Sequence, residues 1–341
     1  MGHKHSKKAK KSESENTTKK EESKNSGKKL TELQDPSTID NYEPYALLEL
    51  HDERIIYFTL KGYKIIVMTI NLNGYEEDIV FETKNGPVES IIELKNNNVV
   101  YGTNGGLIEI IALQKNSFKS IQRILDEEDG ITRLVELNDL NFVAITKNNN
   151  IILYELSKGI YESTKKINYK SEKIYFTSGI ESSINNNLLV TSPTIFFFVD
   201  VYKKKILKEI IANTDKKKDN YERRDISFFT ENCLRYNDTI IVAGIGQLFL
   251  IDCVKQVIIK KVKIIDNAFP CCTLTRFVGD SFVTGSGFGE MVQYKLNKKG
   301  NDLDFISKGA LYLDRVTTNV YSKCGRFLIG EYNGLVILSF Y

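Results

Sequence analysis

The sequence predicts an all-β chain, and three observations narrow that to a seven-bladed β-propeller. Three 24-residue stretches, 90–113 (SIIELKNNNVVYGTNGGLIEIIAL), 133–156 (RLVELNDLNFVAITKNNNIILYEL) and 273–296 (TLTRFVGDSFVTGSGFGEMVQYKL), lie over one another without a gap. Each reads as apolar run, polar turn, apolar run, Gly/Asn turn, then a third run in period-2 alternation, the pattern of antiparallel strands joined by short hairpins. Along the whole chain the third runs end near residues 70, 113, 156, 200, 252, 296 and 340, at intervals of 43, 43, 44, 52, 44 and 44. Self-similarity at this period announces a repeat architecture, and four strands in about 40–45 residues is the spacing of propeller blades.

Each segment then takes its place. Residues 1–29 hold ten Lys, four Glu and almost nothing apolar. Such a segment buries too little to offset the entropy of ordering and is expected to be a disordered tail. Residues 30–45 (LTELQDPSTIDNYEPY) form a transition carrying two of the five prolines, and 46–341 is the propeller. Its first unit, ALLELHDERIIYFT, matches SIIELKNNNVVYGT of the second position for position and is followed by KIIVMTI. Later units read SSINNNLLVTSPTIFFFVDV (182–201), LRYNDTIIVAGIGQLFLIDC (234–253) and NVYSKCGRFLIGEYNGLVILSF (319–340). Between units lie the more polar runs EDIVFE, SFKSIQRIL, IYESTKKI, KKILKEII, KQVIIKKVKI and LDFIS, read as outer strands that face water. The pairs Gly105-Gly106 and Asn333-Gly334 supply the positive φ that two-residue hairpins need. The seventh unit shows three strands, and residues 30–34 are the candidate for an N-terminal strand that completes it, as propellers of this type usually do.

These units resemble the WD-repeat family: small residue, apolar strand, polar hairpin, apolar strand, Gly/Ser turn, third strand. The likeness covers about 46–341, with remnants of the Trp-Asp pair at Val199-Asp200 and Ile251-Asp252. No Trp occurs in the chain and no Gly-His pair precedes a first strand. The hydrogen-bonded Asp-His-Ser-Trp network of typical blades is therefore not expected, and the blades are expected to be held by packing alone. The resemblance implies a diverged propeller that serves as a docking platform for other proteins.

Charge is unevenly divided. Residues 1–29 carry a net +6, while 30–341 hold 37 basic and 40 acidic residues, a net −3. The body lacks the positive stripe of a nucleic-acid footprint, so no nucleic-acid partner is expected. The N-terminus, Met-Gly-His-Lys-His-Ser, fits the N-myristoylation pattern with Gly2 as acceptor and Ser6 at the required spacing. One acyl chain gives only marginal binding, with an association constant on the order of 10⁴ M⁻¹. Lys4, Lys7, Lys8, Lys10 and Lys11 would add about 1 kcal/mol each near an anionic leaflet. Phosphorylation at Ser6, Ser12 or Ser14 would weaken that attachment. Two other readings of the tail stay open, a plain solvated segment and a nuclear-import signal built on KKAKK.

The 52-residue interval is caused by an insertion, NTDKKKDNYERRD at 213–225, in a link between blades. Lys216, Lys217, Lys218, Arg223 and Arg224 make it a candidate docking loop, with the arginine pair suited to a phosphate or carboxylate. Phosphoinositide-binding propellers use Phe-Arg-Arg-Gly; here Tyr221-Glu222-Arg223-Arg224-Asp225 departs on both sides. A lipid-recognising propeller is accordingly the alternative, together with a nuclear complex subunit.

Catalysis is not expected. The only histidine of the body, His51, falls in a turn between two strands, where a preorganised triad is seldom built. Cys271 and Cys272 are adjacent in a strand, so their side chains point to opposite faces and cannot jointly chelate. The stretch 285–289 (GSGFG) lies between strands, whereas a phosphate-cradling loop opens a helix. No metal, cofactor or small-molecule substrate is expected. The five cysteines show no disulfide spacing, and no apolar N-terminal region or membrane-length run occurs. A cytosolic setting, peripheral on a membrane, is the expectation, with the nucleus as the alternative.

Overall fold

A computed structural model describes residues 33–340 apart from 41–43, 60–62, 72–73, 126–128, 138, 171–175, 177, 182–186, 193, 213–232, 245–246, 265–270, 287–289, 311–315 and 332–333. The described residues form 28 strands in seven four-stranded antiparallel sheets and no helix. Strand β1 (Leu33–Asp40) comes first. Blade 1 is β2 (Pro44–Glu49), β3 (Ile55–Thr59), β4 (Lys64–Asn71) and β5 (Gly74–Glu82). Blade 2 is β6 (Val88–Glu93), β7 (Asn98–Thr103), β8 (Leu107–Leu113) and β9 (Phe118–Leu125). Blade 3 is β10 (Ile131–Glu136), β11 (Phe142–Thr146), β12 (Asn150–Ser157) and β13 (Ile160–Asn168). Blade 4 is β14 (Ser178–Glu181), β15 (Asn187–Thr191), β16 (Ile195–Asp200) and β17 (Lys205–Ile211). Blade 5 is β18 (Cys233–Tyr236), β19 (Thr239–Gly244), β20 (Gln247–Asp252) and β21 (Val257–Lys263). Blade 6 is β22 (Cys271–Arg276), β23 (Ser281–Ser286), β24 (Glu290–Leu296) and β25 (Leu303–Ala310). Blade 7 is β26 (Val316–Tyr321), β27 (Arg326–Glu331) and β28 (Gly334–Phe340), completed by β1.

The inner strands read as unbroken apolar runs because both of their faces are buried. In blade 4, Leu188 and Val190 pack against blade 3 while Leu189 between them packs against blade 5. Each junction between neighbours holds its own apolar cluster, and the last closes the ring. There Leu47, Ile55, Tyr57, Ile66 and Met68 of blade 1 meet Leu328, Leu335 and Ile337 of blade 7. Aromatic rings add to this packing: those of Phe142 and Tyr154 lie 4.9 Å apart, with Tyr161 tilted against Phe142 at 5.2 Å.

Outer strands are the liability of such a ring, since their far edges have unpaired backbone. In blades 1 to 6 the outer strand breaks register once with its neighbour, for example between Phe198 and Val199 and between Leu250 and Ile251. The resulting bulges twist the edge and unpair one residue each.

Two expectations need correcting. The closing strand is β1, which runs antiparallel to β28 from Leu33 opposite Phe340 to Asp40 opposite Gly334. Only the last two residues of the 30–34 candidate belong to it. The register breaks between Gln34 and Ser37, so Pro36 sits in a bulge where no N–H is wanted.

Nor are the blades held by packing alone. In blade 3 the buried Asp129 accepts from the Thr146 hydroxyl, from Asn150 Nδ2 at 2.7 Å and from the Asn148 amide at 3.0 Å. Blade 2 buries Glu109, 2% exposed, among Tyr101, Ser120 and Arg123. Blade 6 links Gln293 to Ser281 and Ser307 at 3.2 and 3.0 Å. Different residues thus do in single blades what one repeated network does elsewhere.

Candidate docking face at the hub

The first strand of each blade ends at a turn that leads outward into the second, and the residue at that end recurs in register. It is Glu49, Glu93, Glu136 and Glu181 in blades 1 to 4, then Arg235 in β18 and Arg276 in β22. At this position the charge therefore changes from acidic in blades 1 to 4 to basic in blades 5 and 6.

These side chains reach back to the preceding blade. Glu49 Oε1 accepts from the Lys323 amide at 2.6 Å, Glu93 Oε2 from the His51 amide at 2.6 Å, and Glu136 Oε1 from the Lys95 amide at 2.9 Å. Arg235 Nη1 donates to the Glu181 carbonyl at 3.2 Å, and Arg276 Nη2 donates to the Arg235 carbonyl. The Arg276 guanidinium also lies over the Tyr236 ring, 4.4 Å from its centre. The glutamate bonds satisfy amides in turns, and the arginine bonds reach carbonyls of β14 and β18, which are edge strands of their sheets. The hub is stapled blade to blade, and the staples leave charge at the mouth.

Burial lifts the carboxyls of Glu49, Glu93 and Glu136 above their ordinary 4.5, and the amide bonds and nearby cations only partly offset it. A raised pKa in the folded state means that the unfolded chain releases its proton first as pH rises. Stability from such a group is full below about pH 4.5 and is lost as pH climbs through the folded value. Glu136→Gln keeps an oxygen for the Lys95 amide and removes the buried charge. It is expected to raise the melting temperature at neutral pH and to change nothing near pH 4, read from paired thermal melts. A lower melting temperature at neutral pH would refute the sign.

His51 lies in the turn between β2 and β3, as expected, with its side chain half exposed. Its Nδ1 is 3.1 Å from Asn97 Oδ1 and 3.4 Å from Glu93 Oε2, so the ring pins its turn to blade 2. Cys271 and Cys272 do lie in one strand, β22. Among the described residues no three His, Cys, Asp or Glu side chains converge as metal ligands. Gly2, Lys4, Lys7, Lys8, Lys10 and Lys11 lie outside the described residues, as do Lys216, Lys217, Lys218, Arg223 and Arg224 of the inserted loop. Sequence reasoning missed the hub charges, although the signal was in the aligned units: LLEL, IIEL and LVEL repeat one glutamate in one place.

No family model and no curated protein sequence matches the chain. Solved structures do. The chain is similar to a streptogramin B lyase structure with TM-score 0.69 and 13% identity, over 92% of this chain and 100% of that one. It is similar to the WD40 repeats of RRP9 with TM-score 0.68 and 10% identity, over 91% and 100%. It is also similar to the WD40 β-propeller domain of Doa1 with TM-score 0.68 and 11% identity, over 90% and 95%. At such identities the likeness is one of architecture: this chain has a seven-bladed β-propeller fold.

Proposed function

We propose that the protein is a non-catalytic scaffold that docks other proteins on a rigid propeller and is held at a cytosolic membrane face by its N-terminal tail. The observation that carries the scaffold reading is the hub face, where acidic ends on blades 1 to 4 give way to Arg235 and Arg276. A partner with charges in the complementary order would find them already ordered by hydrogen bonds. Two of the similar structures are described as WD40 propellers or repeats, which supports the same reading at the level of fold.

The tether rests on Gly2 as acyl acceptor and on Lys4, Lys7, Lys8, Lys10 and Lys11 as the second signal that one acyl chain requires. Holding the disc at a bilayer raises the effective concentration of partners kept there.

The test has two arms. Proximity labelling with the full chain is compared with Glu53→Lys/Asp280→Lys, a charge reversal at exposed turns of the hub face. The variant is expected to lose specific neighbours while melting at an unchanged temperature; an identical set of neighbours would overturn the docking face. Separately, a myristate analogue is expected to label the wild type but not Gly2→Ala, and only the wild type to fractionate with membranes. An unlabelled, soluble wild type would remove the tether and leave the scaffold.

A further inference from the structure

The seven outer strands are unlike in charge. β5 holds Glu76, Glu77, Asp78 and Glu82 with no basic residue, net −4, and β1 holds Asp35 and Asp40, net −2. β9, β13, β17 and β21 are net +2, +1, +1 and +3, and β25 is neutral. The two acidic strands belong to neighbouring blades, because the seam between blades 7 and 1 closes the ring.

Register places the acids of β5. Opposed residues of an antiparallel pair share a face of the sheet. Glu77 lies opposite Met68 and Val80 opposite Ile66, and both partners belong to the seam with blade 7. Ile79 and Phe81 pack in the seam with blade 2 instead. Tyr75, opposite Ile70, shares the face of Glu77 and Val80, with Tyr75 42% and Val80 45% exposed. At the paired position next to the bulge, where blade 1 has Glu77, blades 2 to 6 have Ser120, Ser163, Ile206, Ile258 and Phe305. Among these blades an acid at that place is peculiar to blade 1.

Glu76 and Glu77 are exposed and make no hydrogen bond or ion pair among the described residues. Asp78 is taken by the Thr69 hydroxyl at 2.7 Å, and Lys64 stands opposite Glu82 at the far end of the strand. Uncompensated negative charge is thus gathered where β5 begins.

The basic tail joins the disc at that same end. β1 begins at Leu33 opposite Phe340 and β5 at Gly74 opposite Asn71, in each case at the end of the blade's third strand. Residues 23–29 (SKNSGKK), which lie outside the described residues, hold three lysines and no acid. With strands about 4.8 Å apart, adjacent outer edges of a seven-bladed ring are on the order of 15–20 Å apart. The chain from Leu33 back to Lys24 spans up to about 30 Å when extended.

We infer that the tail folds back across the seam between blades 7 and 1 and docks Lys24, Lys28 and Lys29 on the acidic start of β5. An exposed ion pair is weak alone. Here three lysines are held beside their targets by a short covalent link, which sets an effective concentration on the order of millimolar. Their aliphatic stems can lie along Tyr75 while the ammonium groups meet Glu76 and Glu77. Docking uses only the lysines nearest the disc, so Lys4, Lys7, Lys8, Lys10 and Lys11 remain for a bilayer. The inference goes beyond the tether reading and does not rest on it.

The experiment uses the full chain carrying Gly2→Ala, dilute and at low ionic strength, with a carbodiimide that joins lysine to carboxylate without a spacer. Peptides from the monomer are expected to link Lys24, Lys28 or Lys29 to Glu76 or Glu77, in preference to Glu162, Glu209 or Asp304 of other outer strands. The links are expected to fade at about 0.5 M salt. Trypsin gives a second reading. Cleavage after Lys28 and Lys29 is expected to be about twofold faster or more in E76Q/E77Q than in the parent. E162Q/E209Q, an equal charge change on blades 3 and 4, is expected to leave that rate unchanged. Links spread evenly over the outer strands, links to Glu49, Glu93 or Glu136 of the hub instead, or equal cleavage rates in the two variants would overturn the inference. Links confined to a dimer fraction would also overturn it, by assigning the edge to the tail of a second copy. Membrane fractionation of the wild type with the links absent would overturn it and leave the tether standing. Links in a wild type that never fractionates with membranes would remove the tether and keep the docked tail.

Discussion

Deleting residues 1–40 is expected to open the ring, whereas deleting 1–31 leaves it closed. The second truncation removes only the segment before β1. The first removes β1 itself and with it six residue pairs to β28. At about 1 kcal/mol net per ladder hydrogen bond, a loss on the order of 5 kcal/mol follows, a large share of any domain's stability. The damage goes beyond that sum, because β28 then becomes an edge running along GLVILSF, with Leu335, Val336, Ile337 and Leu338 all buried in the intact ring. A long apolar edge without charge or proline is a template for pairing with another chain. The expected results are a lower denaturation midpoint for the 1–40 deletion, fast amide exchange in β28, and aggregation on warming. Coincident unfolding curves for the two truncations would show that the apolar seam between blades 7 and 1 closes the ring without the strand.

Most of the fold was legible because each blade is written in local patterns. Strand, turn and strand are contiguous in sequence, and burial on both faces turns the inner strands into apolar runs that need no partner to be recognised. The interval of 52 marked the one insertion, and it fell between β17 and β18 as the spacing required. Closure was read less well because it is the one non-local pairing in the sheets. The segment around Pro36 has no alternation to announce a strand, and only its register against β28 shows that the proline occupies a bulge. The polar networks were missed for a related reason. Asp129 and Thr146 look like ordinary turn and strand residues until folding brings the hydroxyl to the carboxylate. The hub carboxylates were legible as a repeated glutamate, but their bonds to the preceding blade follow from the ring and from nothing in a single unit.

Glu109→Ala is expected to be among the most destabilising single changes available to this chain. The side chain sits in β8 at 2% exposure and receives the Tyr101 hydroxyl, Ser120 Oγ at 2.6 Å and Arg123 Nε at 2.9 Å. Tyr101 is itself 2% exposed and belongs to the cluster between blades 1 and 2, so its hydroxyl has no water to fall back on. Arg123 is half exposed and can be solvated once freed, which keeps the cost below that of stranding a buried charge. An unsatisfied hydroxyl and a cavity remain, worth together about 3 kcal/mol. Glu109→Gln retains the volume but turns one end into a donor, and about 1–2 kcal/mol is expected. The decisive comparison is Glu109→Leu with Tyr101→Phe, which removes both buried polar partners. If the network exists to satisfy buried groups, the double variant recovers much of the loss, and the coupling appears in a double-mutant cycle from urea denaturation. If instead the carboxylate is held for the charge of Arg123, Tyr101→Phe rescues nothing. The two outcomes differ in whether this seam of the disc needs polarity at all, and the apolar composition of the neighbouring seams favours recovery.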